Sequence, residues 1–203
     1  MRKGILQGDF FYCDHLGASC HDEHDVLNFS VDRPEGFGLV SYVQRYAFSD
    51  EAFGVMRTYV VRDLQTSELV GYFSLKSGLV SLNEREVEVQ EGESKRTEIL
   101  FDTVPGVELA NFAINSSYIK NRPSVKGIGV VIFQQFVLPI VRQVAENVAV
   151  KILYIFALPY DGLIKRYKDV YGFERLGEYD EHELHKRLKP AYDQSCVFMY
   201  VVL

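Results

Sequence analysis

Apolar positions along the 203-residue chain fall into runs whose spacing changes with position. Residues 55–62 and 69–80 are rich in Val, Tyr, Phe and Leu and flank the polar stretch 63–68, so they predict an antiparallel hairpin. Upstream, Gly8-Asp9-Phe10-Phe11-Tyr12 reads as a strand. Residues 21–31 and 37–48 read as short helices around the turn Asp32-Arg33-Pro34-Glu35-Gly36. Residues 81–104, dense in Glu, Lys, Arg and Ser, form a charged excursion that either extends the hairpin or is mobile. Beyond it the element types alternate: a strand over 107–114, a helix over 127–146, a strand over 150–158, a helix over 162–170 and a strand over 173–179. After a polar segment, 196–203 closes the chain as a β-run and offers a pairing edge for a homodimer. Strand, helix, strand, helix in succession implies right-handed crossovers onto a central, partly parallel sheet, with the early hairpin as its antiparallel part. The expected class is therefore α/β (α+β): one domain over 1–203, with a mixed sheet flanked by helices.

Composition narrows this picture. With 47% hydrophobic and 25% charged residues the chain can bury one sizeable core. No run of about 18 consecutive apolar residues occurs and no signal peptide is visible, so no membrane span is expected. Three cysteines, Cys13, Cys20 and Cys196, are poor material for a disulfide framework and fit a reducing cytoplasm. The net charge of −6 argues against a nucleic-acid binder that uses its whole surface. The charge is unevenly spread, however. Residues 109–145 contain no Asp or Glu, yet hold Lys120, Arg122, Lys126 and Arg142. A polyanion would find its welcome there.

That acid-free stretch contains Val125-Lys126-Gly127-Ile128-Gly129-Val130 at the start of a strongly apolar helix. Helix N-termini present unpaired N–H groups and the positive end of the macrodipole, and glycines let phosphate oxygens approach them closely. Gly-x-Gly alone is a common plain turn, so the weight comes from its place between a strand and a buried helix. Pro139 should bend or split that helix near Gln135, whose carbonyl loses its partner.

The succession Glu108-Leu109-Ala110-Asn111-Phe112-Ala113-Ile114, then Lys126-Gly127-Ile128-Gly129, then the apolar strand near 151–158, then Tyr167 through Tyr171-Gly172-Phe173, resembles the GNAT superfamily of acyl-CoA-dependent N-acyltransferases. The resemblance is best over 55–179. It implies acetyl-CoA as co-substrate, with the backbone of Phe112, Ala113 and Ile114 pairing with the pantetheine arm and the turn from Val125 to Val130 holding the pyrophosphate. The family's turn opens with Gln or Arg three residues before its first Gly. Here that position is Ser124, with Arg122 two residues earlier, and the loop over 115–125 is longer than usual.

The resemblance also implies two catalytic groups. Glu108 corresponds to a glutamate that acts as a base through water; the alternative is a solvated or ion-paired strand residue. Tyr167 resembles the tyrosine that protonates the departing thiolate, although it stands five residues before Gly172 rather than four, which leaves Tyr171 and Tyr160 as substitutes. An oxyanion donor falls to the N–H of Ile114 or a neighbour. Cys13, His15, Cys20, His21 and His24 fit no usual ligand spacing, so no metal is expected. The expected activity is acetyl transfer to an amine of a small molecule, peptide or protein. Partial similarity to the branch containing toxins that acetylate aminoacyl-tRNA makes tRNA the second candidate acceptor, and a non-catalytic acyl-CoA-binding module is the third reading.

Overall fold

A computed structural model describes residues 4–92, 94–190 and 193–203. The first of its two units comprises Met1–Lys76 and Leu109–Val144. Its strands begin with β1 (Leu6–Gln7) and β2 (Phe11–His15), followed by α1 (Asp22–Leu27), α2 (Phe37–Arg45), α3 (Ala47–Phe53) and β3 (Arg57–Asp63). The expected single helix over 37–48 is two, because the chain turns at Tyr46 and restarts; α3 then ends on Gly54 in the left-handed region (φ 69°). β4 (Leu69–Glu91) pairs antiparallel with β3, from Arg57↔Leu75 to Arg62↔Leu69. β5 (Ser94–Ile114) returns beside β4, and the sheet order in this unit is β1-β2-β3-β4-β5. The charged excursion thus extends the hairpin: β4 and β5 run through it to a tip at Gly92 (φ 66°).

One face of this sheet carries Val60, Leu69, Tyr72 and Ala113, and packs with Leu16, Val26, Phe29, Val43 and Ala47 from the α1–α3 side. A short α4 (Ser116–Lys120) follows β5, capped by the Asn115 side chain, and had no counterpart in the apolar pattern. The long helix comes next, as α5 (Ile128–Ile132), a π-helical turn over Phe133–Val137, and α6 (Leu138–Asn147). Proline has no N–H, so the carbonyl four residues before Pro139 cannot be bonded in the usual register, and the π turn is how the helix absorbs that loss without breaking. By length and composition Ile128–Asn147 could cross a membrane. In this fold Ile128, Ile132, Phe133, Phe136, Val137, Ile140 and Val141 are buried, as in a core helix.

The second unit comprises Ser77–Glu108 and Ala145–Leu203. It contains β6 (Ile152–Ala157), α7 (Asp161–Tyr171), β7 (Glu174–Arg175), α8 (Glu178–His185) and β8 (Val197–Val202), with strand order β4-β5-β6-β8-β7. β5 and β6 are parallel, whereas β1–β2, β2–β3, β3–β4, β6–β8 and β7–β8 are antiparallel, so the sheet is mixed. Two expectations are corrected here. The strand over 173–179 stops after Arg175 because Glu178, Asp180 and Glu181 open a helix, where acids favour the positive end of the dipole. The terminal run is no free edge either: β8 lies between β6 and β7 along its six partners from Ile152↔Val202 to Ala157↔Val197. All six of its residues pair with β6 on one side, and Met199 and Tyr200 pair with β7 on the other.

Candidate functional site

The glycine turn stands at the N-terminus of α5. Gly127 adopts the left-handed region (φ 75°), which favours glycine, and nothing lies within 4 Å of where a Cβ would be. Its carbonyl accepts from Val130 N–H and Val131 N–H at 2.9 and 3.1 Å, which starts the helix, and Val125 N–H donates to Arg122 O at 3.0 Å. Between these, among the described residues, the N–H groups of Lys126, Gly127, Ile128 and Gly129 have no backbone partner. Four successive unpaired donors at a helix start form an anion-binding concavity. Lys126 and Val125 are exposed beside it, Ile128 is buried beneath it, and Gly129 and Val130 are half-buried.

The strand before the turn directs its backbone groups alternately to its two edges. Asn115 N–H donates to Val70 O at 2.8 Å, and the Ala113 carbonyl lies 2.6 Å from where a Gly71 Cβ would sit. In an antiparallel strand alternate residues direct both backbone groups to the same neighbour. Ala113 therefore faces β4, and Phe112 and Ile114 turn their N–H and C=O to the opposite edge. In the second unit the parallel pairing with β6 covers Gly106↔Ile152, Val107↔Leu153 and Glu108↔Tyr154 and stops there, although β6 runs on to Ala157. Phe112 itself packs on Phe133 of the long helix, with ring centroids 6.4 Å apart.

The basic residues of the acid-free stretch divide into two groups. Lys120 pairs with Asp32 at 3.0 Å. Arg122 pairs with Glu68 and lies 4.1 Å over the ring of Tyr118, whose hydroxyl donates to Asp63 at 2.6 Å. Arg122 is thus tied into a structural network rather than standing in for the missing Gln or Arg of the turn. Lys126 has no ion-pair partner among the described residues, and it is the cation beside the free N–H groups. What the sequence hid is that acids distant along the chain, Asp32 and Glu68, return to this stretch.

Glu108 is half-buried at the end of the parallel ladder and accepts a hydrogen bond from the Tyr154 hydroxyl. Burial, and then the charge of Glu108, push that hydroxyl far above its ordinary value, so it remains a donor. Tyr154 was not among the sequence candidates; its place in an unbroken apolar strand made it read as core. Tyr167, on α7, is half-buried. Its ring meets Phe173 edge-on (5.5 Å, 77°) and Tyr171 at 5.5 Å, and burial, followed by Tyr171, raises its hydroxyl well above the ordinary value. It is protonated throughout the neutral range, as an acid must be. The two substitutes sit differently: Tyr160 is 47% exposed ahead of α7, and the Tyr171 hydroxyl is engaged by Arg166. Cys13 and Cys196 are buried, and burial raises the Cys13 thiol. Among the described residues no group of three or more His, Cys, Asp or Glu is arranged to hold a metal ion.

No protein-family model matches the chain. Solved structures do resemble it. A tyrosine-to-phenylalanine mutant of the AtaT toxin superposes with a TM-score of 0.63 at 16% identity, over 99% of this chain and 95% of that one. AtaTR bound with acetyl-CoA gives 0.60 at 16% identity, covering 96% and 94%. AtaT complexed with acetyl-methionyl-tRNAfMet gives 0.62 at 14%, covering 95% and 94%. The fold is the GNAT fold that the sequence resemblance implied, and it extends over nearly the whole chain.

Proposed function

We propose that this chain is an acetyl-CoA-dependent N-acetyltransferase whose acceptor is the amino group of an aminoacyl-tRNA. The observation that carries the cofactor is the set of four N–H groups from Lys126 to Gly129 at a helix start, which have no backbone partner among the described residues, with the exposed Lys126 ammonium beside them. Pyrophosphate oxygens match such donors. The backbone of Phe112, Ala113 and Ile114 is the segment assigned to the pantetheine arm, which would add itself as a strand would.

In the proposed reaction the neutral amine attacks the thioester carbonyl, the N–C bond forms and the C–S bond breaks. The proton from the amine passes to Glu108, directly or through water, and the thiolate takes a proton from Tyr167. Tyr154, by donating to Glu108, fixes the orientation of the base.

The tRNA acceptor rests on full-length likeness in fold to AtaT, which has been captured with acetyl-methionyl-tRNAfMet. Lys165, Arg166 and Lys168, all exposed on α7, offer phosphate contacts. The net charge of −6 favours the second reading, a small-molecule or protein amine. Two assays decide. Acetyl-CoA at about 100 times its dissociation constant should stabilise the fold by about 2.7 kcal/mol, and an absent thermal shift at saturation ends the cofactor assignment. Thiol release with charged tRNA, but not with uncharged tRNA or an amine panel, identifies the acceptor; turnover on amines alone replaces it with the second reading. Cofactor binding without thiol release on any acceptor leaves a binding module.

A further inference from the structure

The α1–α3 face of the first unit's sheet is largely apolar, and its polar groups fall at two levels: Arg62, paired with Asp22 and Asp25 of α1, and a row nearer the start of β3. Thr58 of β3 and Ser74 of β4 are register partners, both are fully buried, and their hydroxyls lie 3.0 Å apart. Tyr42 of α2 brings its hydroxyl within 3.4 Å of Thr58 Oγ1 and 3.5 Å of Met56 Sδ. Asn111 of β5 completes the row, with Nδ2 3.9 Å from the same sulfur. Hydroxyls and an amide on a core-facing surface carry a desolvation cost that apolar residues would not. Thr58 and Ser74 recover much of it from each other. Asn111 does not: a thioether is a weak acceptor, and among the described residues this amide makes no other hydrogen bond, so its Oδ1 and second N–H are uncommitted. Asn111, Met56 and Tyr42 are half-buried, so the row opens to solvent at that end. Asp50, also half-buried, stands beside the Tyr42 hydroxyl and has no cation partner among the described residues.

We propose that Asn111, Tyr42 and Asp50 form the acceptor subsite and that it selects an α-aminoacyl group, an amine adjacent to a carbonyl, over a plain alkylamine. Asn111 directly precedes the segment assigned to the cofactor arm and lies on the same face of β5 as Ala113, about 7 Å from it along the strand. Asn111 Nδ2 and the Tyr42 hydroxyl can donate to the carbonyl oxygen, while Asn111 Oδ1 and the Asp50 carboxylate can accept from the amine. A lysine ε-amine or a polyamine satisfies only the second pair and leaves the half-buried donors of Asn111 and Tyr42 unmatched, which is how a polar site rejects an analogue. The inference rests on the acyltransferase reading for its meaning, though not for its test.

The test needs no turnover. Uniformly 15N-labelled protein with coenzyme A present is titrated with leucinamide and, separately, with 3-methylbutylamine, which is the same side chain without the carboxamide. Leucinamide should shift the Asn111 side-chain amide signals and bind at least tenfold more tightly. Asn111→Leu should erase that preference while leaving the thermal shift with acetyl-CoA unchanged. Asn111→Asp, which keeps the acceptors and folds as a near-isostere, should retain amine binding and lose most of the preference. Equal binding of the two amines by the wild type, or a preference that survives both substitutions, overturns the subsite. A retained preference in a protein that shows no thermal shift with acetyl-CoA overturns the cofactor reading instead and leaves the subsite standing.

Discussion

The Tyr154 hydroxyl donates to the Glu108 carboxylate from a ring that is 2% exposed and lies against two glycines. A Cβ on Gly106 would come 2.9 Å from both Ile152 Cγ1 and Tyr154 Cδ1, and one on Gly78 would overlap the hydroxyl itself. The pair is therefore set by backbone shape as much as by its own chemistry. Gly106→Ala should destabilise by about 1–3 kcal/mol through overpacking, read as a lowered urea midpoint. Gly78→Ala should behave like Tyr154→Phe, because both separate the hydroxyl from Glu108. Each should lower kcat and leave the thermal shift with acetyl-CoA intact. Wild-type turnover in Tyr154→Phe would reduce the contact to a packing detail.

At the glycine turn, two substitutions separate backbone from charge. Open space surrounds Gly127, so Gly127→Ala meets no clash and its cost is that of the left-handed conformation, about 1–2 kcal/mol. The relief of that strain would reorient the free N–H groups, so affinity for acetyl-CoA should fall along with stability. Lys126→Ala should leave stability alone and weaken acetyl-CoA about tenfold or more, a loss of about 1.5–3 kcal/mol for a bond to a charged group. The effect should shrink as salt rises. An unchanged dissociation constant in Lys126→Ala would remove that residue from the site.

Much of this arrangement is legible in the sequence. The hairpin of β3 and β4 and the strand–turn–helix around Gly127 follow from period and glycine placement, and Pro139 marks where the long helix is disturbed, near Gln135, though not that a π turn would absorb the disturbance. The extension of β4 and β5 was also present in the letters: Glu86-Val87-Glu88-Val89 alternates with the period of a strand, but its charge density masked the pattern. Two features were out of reach. Which strands neighbour β8 depends on hydrogen bonds between segments far apart in sequence, which no local period encodes. Likewise, the neutralisation of Lys120 and Arg122 by Asp32 and Glu68 depends on chain return, so a stretch without acids in sequence is not without acids in space.

Asn115 shows the same long-range logic in energetic form. It is 8% exposed; its Oδ1 accepts from Ser117 N–H at 3.2 Å and Ser30 N–H at 3.4 Å, and its Nδ2 donates to Leu69 O at 3.0 Å. One side chain thus caps α4 and ties the segment after α1 to the end of β5. Asn115→Ala leaves the buried Leu69 carbonyl without its donor and the Ser30 and Ser117 N–H groups without their acceptor, and should cost about 2–3 kcal/mol. Ser117→Ala, whose hydroxyl is exposed, should cost under about 1 kcal/mol. Urea unfolding with an unchanged m-value checks both, and equal losses would show that the network is not centred on Asn115.

Alkaline stability should report the buried tyrosines, and Tyr59 gives the clearest window. Burial first, then the nearby Cys13 and Glu51, push its hydroxyl up from 10.0 to about 12. Below about pH 10 the group is protonated in both folded and unfolded chains and contributes no pH dependence. Between about pH 10 and 12 the unfolded chain releases the proton and the folded chain keeps it, so the folded state binds more protons and stability falls as pH rises. Tyr72, Tyr118, Tyr154 and Tyr167, all raised with burial as the leading cause, act in the same direction. The urea midpoint should accordingly decline above about pH 10, and Tyr59→Phe should make the decline shallower by removing one of the contributors. Because Tyr167 shares this behaviour, the same titration bears on its proposed role: in the folded protein its absorbance at 295 nm should not change below pH 10. Ionisation of Tyr167 near neutrality, seen as a Tyr167→Phe difference in that signal, would deprive the thiolate of its proton donor.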